Sequence, residues 1–169
     1  MACTRDQLSD FFDALLHPNE FADYCPNGLQ VEGKSQIKHL VTGVTASQAL
    51  VDAAIAEEAD AILVHHGYFW RSEDPRIVGI KAQRLRALLA ADINLFAYHL
   101  PLDCHPEVGN NVTLGHLMGV ADPVPLDASD TELPLYTGRL PAAIPVKQLA
   151  ETMATVLDRA PLLIGEGVV

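Results

Sequence analysis

Four of the seven histidines fall in one central stretch of the chain, together with Asp103. His65 and His66 are adjacent and precede Gly67, whereas His99 begins a short run that ends at Asp103. Imidazole nitrogen and carboxylate oxygen together suit zinc, manganese, iron, nickel or cobalt, and they suit calcium poorly. A lone histidine is more often a satisfied core residue than a ligand. The grouping therefore leaves a metal site and a structural role open as alternatives of equal weight.

These side chains follow two strands of a predicted parallel sheet. Apolar runs at 37–44, 60–64 and 93–98 alternate with helical patterns at 47–58 and 77–91. This order predicts βαβ units whose strands are covered by helices on both faces. Both histidine groups then lie at the carboxyl ends of strands, where open α/β sheets bind ligands.

The adjacency of His65 and His66 imposes a condition on the backbone. Successive residues of a strand point to opposite faces, so the two side chains share a pocket only if the chain turns as it leaves the sheet. Gly67 permits that turn. Pro101 likewise prevents the next strand from continuing and leaves Asp103 on a loop.

The amino-terminal segment predicts a helix and then a connector. Thr4 and Gln7 form the pattern of a capping box, and apolar residues recur at helical spacing until His17 and the following proline. Residues 24–33 are rich in turn formers and predict a connector that either is a plain loop or lines a site.

The carboxyl-terminal part predicts a second, incomplete unit. A short helix closed by Gly119 and a proline-rich linker over 121–134 precede a strand at 135–140, a helix at 146–157 and a strand at 162–164. Two strands and one helix cannot cover both faces of a sheet. We therefore expect a first α/β lobe over 1–122, which carries the amino-terminal metal ligands, and a linker with the start of a truncated second lobe over 123–169.

Charge and composition exclude several classes of protein. The 169 residues hold 11 Lys and Arg against 22 Asp and Glu, and the formal charge of -11 disfavours binding to nucleic acid or to an anionic membrane. No apolar run approaches the roughly 20 residues of a membrane span, and the opening lacks the pattern of a signal peptide. We expect a soluble cytoplasmic protein. Cys3, Cys25 and Cys104 form no C-x-x-C motif and are expected to be reduced thiols.

Other motifs are weaker. Residues 42–47 place small polar groups at a strand-to-helix turn that is able to hold an anion, although Ser47 as a helix cap explains the pattern better. Tyr68, Phe69 and Trp70 either stack on a planar ligand or simply pack, and packing is the commoner role. The sequence contains no Gly-rich dinucleotide motif and no P-loop.

Four stretches together resemble a known family. They are residues 26–33 (PNGLQVEG), 41–47 (VTGVTAS), 60–70 (DAILVHHGYFW) and 99–103 (HLPLD). They are similar to the Nif-three-like dinuclear metal-centre proteins, which are often labelled "GTP cyclohydrolase I type 2 homolog", and above all to their short bacterial branch. The resemblance runs from about residue 24 to residue 111, roughly half of the chain.

The resemblance implies a fold and a site. It implies two similar α/β lobes with largely parallel strands flanked by helices, and a homohexameric ring, a trimer of dimers, whose sites face an interior cavity. By position, His65, His66 and Asp103 match the family's amino-terminal ligands of two divalent metal ions. His99 matches less clearly, and we expect it to lie behind the ligands, where it orients Asp103 or a bound water.

The family completes its centre with a histidine and a glutamate near the carboxyl end, whereas no histidine follows His116 here. We expect the chain to be a fragment of a longer protein, in preference to the alternative of a shortened relative with an incomplete site. By itself, it should hold one ion more readily than two.

The implied function is that of a dinuclear metal-dependent hydrolase that acts on a small molecule. The family label suggests a purine nucleotide as the substrate class, and our candidates for binding it are Asn27, Thr45 and Tyr68. The alternative is a metal-binding regulatory or scaffold protein that forms a ring without catalysis. A role on DNA is disfavoured by the negative charge.

Overall fold

The structure is a computed structural model that describes residues 2–130 and 135–169. These residues divide into two compact units, one that ends at Leu102 and one that begins at Asp103. The first unit is a mixed α/β layer structure with a mostly parallel sheet, as the sequence predicted.

The first unit opens with a helix whose start was predicted correctly. Strand β1 (Cys3–Thr4) leads into α1 (Arg5–Leu16), where the Thr4 hydroxyl accepts from the Gln7 amide and the Gln7 side chain accepts from the Thr4 amide. This capping box satisfies two amide groups that the helix itself leaves unpaired. A single 3-10 turn, Pro18–Glu20, follows the helix.

The central sheet has four strands in the order β2-β6-β5-β4. They are β2 (Gly28–Val31), β4 (Leu40–Thr45), β5 (Ala61–His66) and β6 (Asn94–Ala97). Strands β4, β5 and β6 are parallel, whereas β2 pairs antiparallel with β6 at the edge. A short strand β3 (Gln36–Ile37) pairs separately with β1.

Strand β2 corrects the prediction of a connector over residues 24–33. Its apolar and polar side chains alternate over only Leu29 to Val31, and turn formers lie on both sides, so the sequence favoured a connector. Pairing with the buried strand β6 supplies the hydrogen bonds that make this segment a strand.

Helices cover both faces of the sheet. Helices α2 (Gln48–Ala56) and α3 (Gly79–Ala90) pack on one face, where the core includes Ile62 and Leu95. Helix α1 packs on the other face against Phe96 and Tyr98. Burial on both faces explains why the central strands are continuous apolar runs.

The second unit is smaller. Helix α4 (Leu100–Cys104) begins in the first unit and ends in the second. It is followed along the chain by α5 (Asn110–Leu117), β7 (Ala121–Pro125), β8 (Tyr136–Arg139) and α6 (Val146–Val156). Strands β7 and β8 are antiparallel, and α5 packs against both. The predicted helix closed by Gly119, which has a φ of 78°, is confirmed, as are the strand and the helix at β8 and α6.

Two expectations for this unit were wrong. The segment that was predicted as a linker over 121–134 begins with strand β7, because pairing with β8 orders it; residues 131–134 lie outside the described part. No strand occurs at 162–164, where Leu162 and Ile164 are 87% and 86% exposed and have no strand beside them in the described residues. The boundary at residue 122 and the two-lobe division stay predictions.

Among the residues that the structure describes, no helix combines the length and the apolar composition needed to cross a membrane.

Candidate metal centre

His65 and His66 are the last two residues of strand β5. Their ring centroids lie 4.3 Å apart. We expected the chain to turn before these side chains met, but the strand includes both. The neighbouring strand β6 pairs with β5 only as far as Val64. The two histidines follow that residue, and their rings approach each other where β6 no longer pairs with β5.

Each of these two rings has one nitrogen near an oxygen of an adjacent strand end. His65 Nδ1 lies 3.2 Å from the carbonyl oxygen of Tyr98, and His66 Nδ1 lies 3.1 Å from the hydroxyl of Thr45. Metal-ligating histidines commonly donate one ring nitrogen to such an oxygen, which fixes the ring and leaves the other nitrogen as the ligand atom.

His99 joins the pair. Its ring centroid lies 4.9 Å from that of His65 and 5.7 Å from that of His66. One ring nitrogen of each of the three residues lies within 4.8 Å of the others. We call His65, His66 and His99 the histidine cluster. His99 therefore lies as close to the other two as a ligand would, although the sequence ranked it below them.

Asp23 is the residue that sequence reasoning missed. Its side chain is only 3% exposed, and Oδ1 lies 3.0 Å from His99 Nδ1. Its carboxylate also accepts from the amides of Tyr24 and Leu100 and from the side chain of Asn27. Burial favours a higher pKa for Asp23, but these hydrogen bonds, with that of His99 foremost, outweigh burial and lower the pKa below its usual value.

Cys25 completes a second close group with Asp23 and His99, again with ligand atoms within 4.8 Å of one another. Its Sγ donates to Asp23 Oδ1 at 3.7 Å. Burial, followed by the charge of Asp23, raises the pKa of the Cys25 thiol to about 12. This group is a hydrogen-bonded support for His99.

Aromatic side chains border the histidine cluster. Trp70 meets His99 edge to face at 5.0 Å, and Tyr24 does so at 5.2 Å. The turn that brings Trp70 there passes through Phe69, whose φ of 66° is rare for a bulky residue. Phe69 packs against the core, and Lys81 Nζ lies 5.2 Å from its ring. Trp70 thus faces the cluster, whereas Tyr68 is buried.

The three candidate substrate-binding residues make contacts within the chain. Asn27 Oδ1 accepts from the His99 amide at 2.7 Å. Thr45 contacts His66, as described above. The Tyr68 hydroxyl donates to the Ala46 carbonyl at 2.9 Å, and burial raises its pKa to about 12. Their role in substrate binding stays a prediction.

Asp103 is the first residue of the second unit. Its Oδ1 accepts from the Asn110 side chain at 2.9 Å. His105, in the same unit, uses Nδ1 to accept from the amides of Glu107 and Val108. The role of Asp103 as a metal ligand stays a prediction.

The donor set of the histidine cluster fits a transition-metal ion. Imidazole nitrogens suit zinc, copper, iron and nickel. The rings are half-buried or buried at the end of rigid strands, and each already has an oxygen beside one nitrogen. These features are those of metal-ligating histidines.

A family model described as Duf34/NIF3 (NGG1p interacting factor 3) matches residues 3–167. The chain belongs to the NIF3 family. The resemblance stated from the four sequence stretches is thereby confirmed.

Relatives of this NIF3-family chain are similar in sequence and in structure. A protein of Haemophilus influenzae named "GTP cyclohydrolase 1 type 2 homolog" is 50% identical over 93% of the chain and 62% of its own length. A protein of the same name from Pseudomonas aeruginosa is 47% identical over 99% of the chain and 66% of its length. The chain thus spans less than two thirds of these curated relatives.

Two solved structures are similar over nearly the whole chain. Protein ybgI, described as of unknown function, has a TM-score of 0.87 and 46% identity over 95% of this chain and 63% of its own. The protein TTHA1606 of Thermus thermophilus has a TM-score of 0.84 and 37% identity over 99% of this chain and 69% of its own. The reduced HcgD of Methanocaldococcus jannaschii, at 21% identity and a TM-score of 0.76, shares the fold.

Proposed function

We propose that this NIF3-family protein is a metal-dependent hydrolase whose centre is built around His65 and His66. The observation that carries the proposal is the convergence of three imidazole rings at the carboxyl end of the sheet, with ligand atoms within 4.8 Å. Asp103 is proposed as a further ligand from its position in the family motif, and His99 as a residue of the same centre. Two ions per site are proposed for the complete protein.

A divalent ion held by these residues would supply Lewis-acid polarisation and would lower the pKa of a water molecule. The chain's own residues hold and orient the ligands. The carbonyl oxygen of Tyr98 fixes the ring of His65, and the hydroxyl of Thr45 fixes that of His66. Trp70 packs against His99 with the two ring planes nearly perpendicular, and we propose that it limits the access of water from that side.

The proposed substrate is a small molecule with a hydrolysable carbon or phosphorus centre. A purine nucleotide is the class suggested by the printed name of the curated relatives, "GTP cyclohydrolase 1 type 2 homolog". With a formal charge of -11, the chain as a whole repels an anionic substrate. Arg71 is the cation nearest in sequence to the paired histidines, and we propose that it offsets this repulsion locally.

The test compares the wild type with His66→Ala and with His39→Ala, which removes an exposed histidine that precedes strand β4. We expect the complete protein, once purified, to bind a divalent transition metal and to hydrolyse GTP or another purine nucleotide. Chelation and His66→Ala should abolish turnover, whereas His39→Ala should retain it. A fully metal-loaded protein with no turnover of any nucleotide would contradict the hydrolase proposal and favour the regulatory or scaffold alternative.

We also propose that the protein assembles as a homohexameric ring. Three large apolar side chains near the start of α3 are more than half exposed, which is typical of a surface that another subunit covers; they are Ile77, Val78 and Ile80. Light scattering coupled to size-exclusion chromatography measures the assembly directly. A monomer at micromolar concentration would contradict the ring.

A further inference from the structure

The geometry points to Asp23 as a positioning residue: its carboxylate fixes the ring of His99, so that His99 presents Nε2 to the metal as a third imidazole donor. This inference rests on the proposed metal centre. It adds Asp23, which the sequence did not indicate, and His99, which the sequence placed behind the ligands. It starts from the contact between Asp23 Oδ1 and His99 Nδ1 at 3.0 Å.

The carboxylate is itself held rigidly. Both of its oxygens accept hydrogen bonds, from the Tyr24 amide at 2.7 Å and from the Leu100 amide at 2.9 Å among others. Because the side chain is 3% exposed, water does not compete for these positions. The amides of Tyr24 and Leu100 and the side chain of Asn27 all donate to this carboxylate, so it acts as an acceptor.

The carboxylate of Asp23 determines which ring nitrogen of His99 carries the hydrogen. An acceptor beside Nδ1 requires the hydrogen on Nδ1, and in the neutral imidazole Nε2 then carries the lone pair. The ring lies with Nδ1 toward Asp23, so Nε2 points away from that carboxylate, and the ring centroid of His65 lies 4.9 Å from that of His99. This is the carboxylate–histidine–metal arrangement that fixes the tautomer of a ligand and raises its basicity.

The main chain on either side of His99 is fixed by the same contacts. The His99 amide donates to Asn27 Oδ1, and the next amide, of Leu100, donates to Asp23 Oδ2. Asn27 Nδ2 in turn donates to Asp23 Oδ2 at 3.0 Å. The segment 23–27 therefore holds His99 by its ring and by its backbone.

The first experiment measures metal affinity by competition with a chromophoric chelator, with zinc and cobalt as probes. We expect Asp23→Asn to weaken binding about 10- to 100-fold and His99→Ala to weaken it at least as much. The combined variant should bind no more weakly than His99→Ala alone, because Asp23 acts only through His99. The matched control is Asp60→Asn, which alters an equally amide-bound aspartate at the opposite end of β5 and should leave the affinity unchanged.

The second experiment reads the tautomer directly in the metal-free protein. Long-range nitrogen NMR, with the His99 signal assigned from its loss in His99→Ala, should show the proton on Nδ1 in the wild type and in Asp60→Asn. The signal should shift in Asp23→Asn, which a purely structural role for Asp23 would not produce. Should Asp23→Asn fail to fold, the wild-type tautomer and the affinity of His99→Ala still decide the matter.

The outcomes separate this inference from the proposed function. Unchanged metal affinity in His99→Ala, or a proton on Nε2 in the wild type, would overturn the inference and leave the hydrolase proposal intact. Further weakening by Asp23→Asn in the His99→Ala background would overturn the claim that Asp23 acts through His99. Normal metal binding without any nucleotide turnover would contradict the hydrolase proposal alone.

Discussion

The two ends of the central sheet each hold a largely buried aspartate, and the two aspartates differ in their partners. At the amino end, Asp60 accepts from the amides of Lys38 and His39 and pairs with Lys34 Nζ at 2.8 Å. At the carboxyl end, Asp23 accepts from backbone amides in the same way but pairs with His99. Both carboxyl groups have a lowered pKa.

The difference shows how one arrangement serves two purposes. A lysine is a point charge with only donors, so the pair with Asp60 stabilises the fold and offers nothing to a ligand. An imidazole held by one nitrogen still has a second nitrogen to offer. The amino end therefore stabilises the sheet, and the carboxyl end uses the same kind of carboxylate to aim a donor group.

The sharpest test of this comparison uses two asparagines, one at each end. Asn94 is fully buried, accepts from the Gly33 amide at 2.8 Å and donates to two carbonyl oxygens. Asn94→Ala leaves these groups unpaired, so we expect a loss of about 3 kcal/mol in the free energy of unfolding, measured by urea denaturation, with unchanged metal affinity in the folded fraction.

The counterpart is Asn27→Ala at the carboxyl end. Asn27 connects the His99 amide to Asp23, so its loss should lower stability less and should also weaken metal binding. Equal effects of the two variants on metal affinity would break the comparison.

Gly67→Ala tests the backbone directly after the paired histidines. A Cβ at this position would lie 2.6 Å from the Cβ of Ala97 and would also meet the side chain of Gln30. The strand ends must separate to admit it, so we expect a loss of about 2 kcal/mol in stability together with weaker metal binding. Urea denaturation and chelator competition measure the two effects. A stable variant with normal affinity would show that the strand end tolerates movement.

The sequence predicted the parts of this molecule that depend on local pattern. Thr4 and Gln7 predicted the start of α1, because a capping box involves residues only three positions apart. Continuous apolar runs predicted the three parallel strands, because strands buried on both faces need no polar positions. His65 and His66 were found because they directly follow such a run.

The parts that it did not predict depend on contacts between distant residues. Strand β2 forms by pairing with β6, more than sixty residues along the chain. Asp23 lies 76 residues from His99, and only its position in front of a turn marks it in the sequence. An aspartate that bonds the next amide, as Asp23 does with Tyr24, is common in turns. Nothing local indicates that its carboxylate also reaches a histidine, so the pairing of Asp23 with His99 was not predicted.

The carboxyl group of Asp60, at the amino end of the sheet, is expected to make the stability of the fold sensitive to acid. Burial favours a higher pKa for Asp60, but the bonds from Lys34 and from the amides of Lys38 and His39 lower it to about 2, from an ordinary value of 3.8. Because the folded value lies below the unfolded one, the stabilisation is complete above about pH 4 and is lost as the pH falls toward 2. It amounts to on the order of 1 kcal/mol after screening by solvent.

Asp60→Asn should therefore reduce stability at neutral pH and flatten its dependence on pH between about 4 and 2. Urea denaturation at a series of pH values measures this. An unchanged slope in that range would mean that other carboxyl groups carry the acid sensitivity.

Ser47→Ala is expected to have the smallest effect on stability. It tests whether every residue at the carboxyl end of the sheet takes part in binding. Ser47 lies at the carboxyl end of the sheet, directly before α2, and its hydroxyl accepts from the Leu50 amide at 3.2 Å. That bond caps the helix, as the simpler interpretation of residues 42–47 predicted. Its removal should cost about 0.5 to 1 kcal/mol in unfolding free energy and leave metal and nucleotide binding unchanged. If Ser47→Ala instead weakened nucleotide binding more than it weakened the fold, the amides of this turn would hold an anion, and the functional surface of the carboxyl end would extend beyond the histidine cluster.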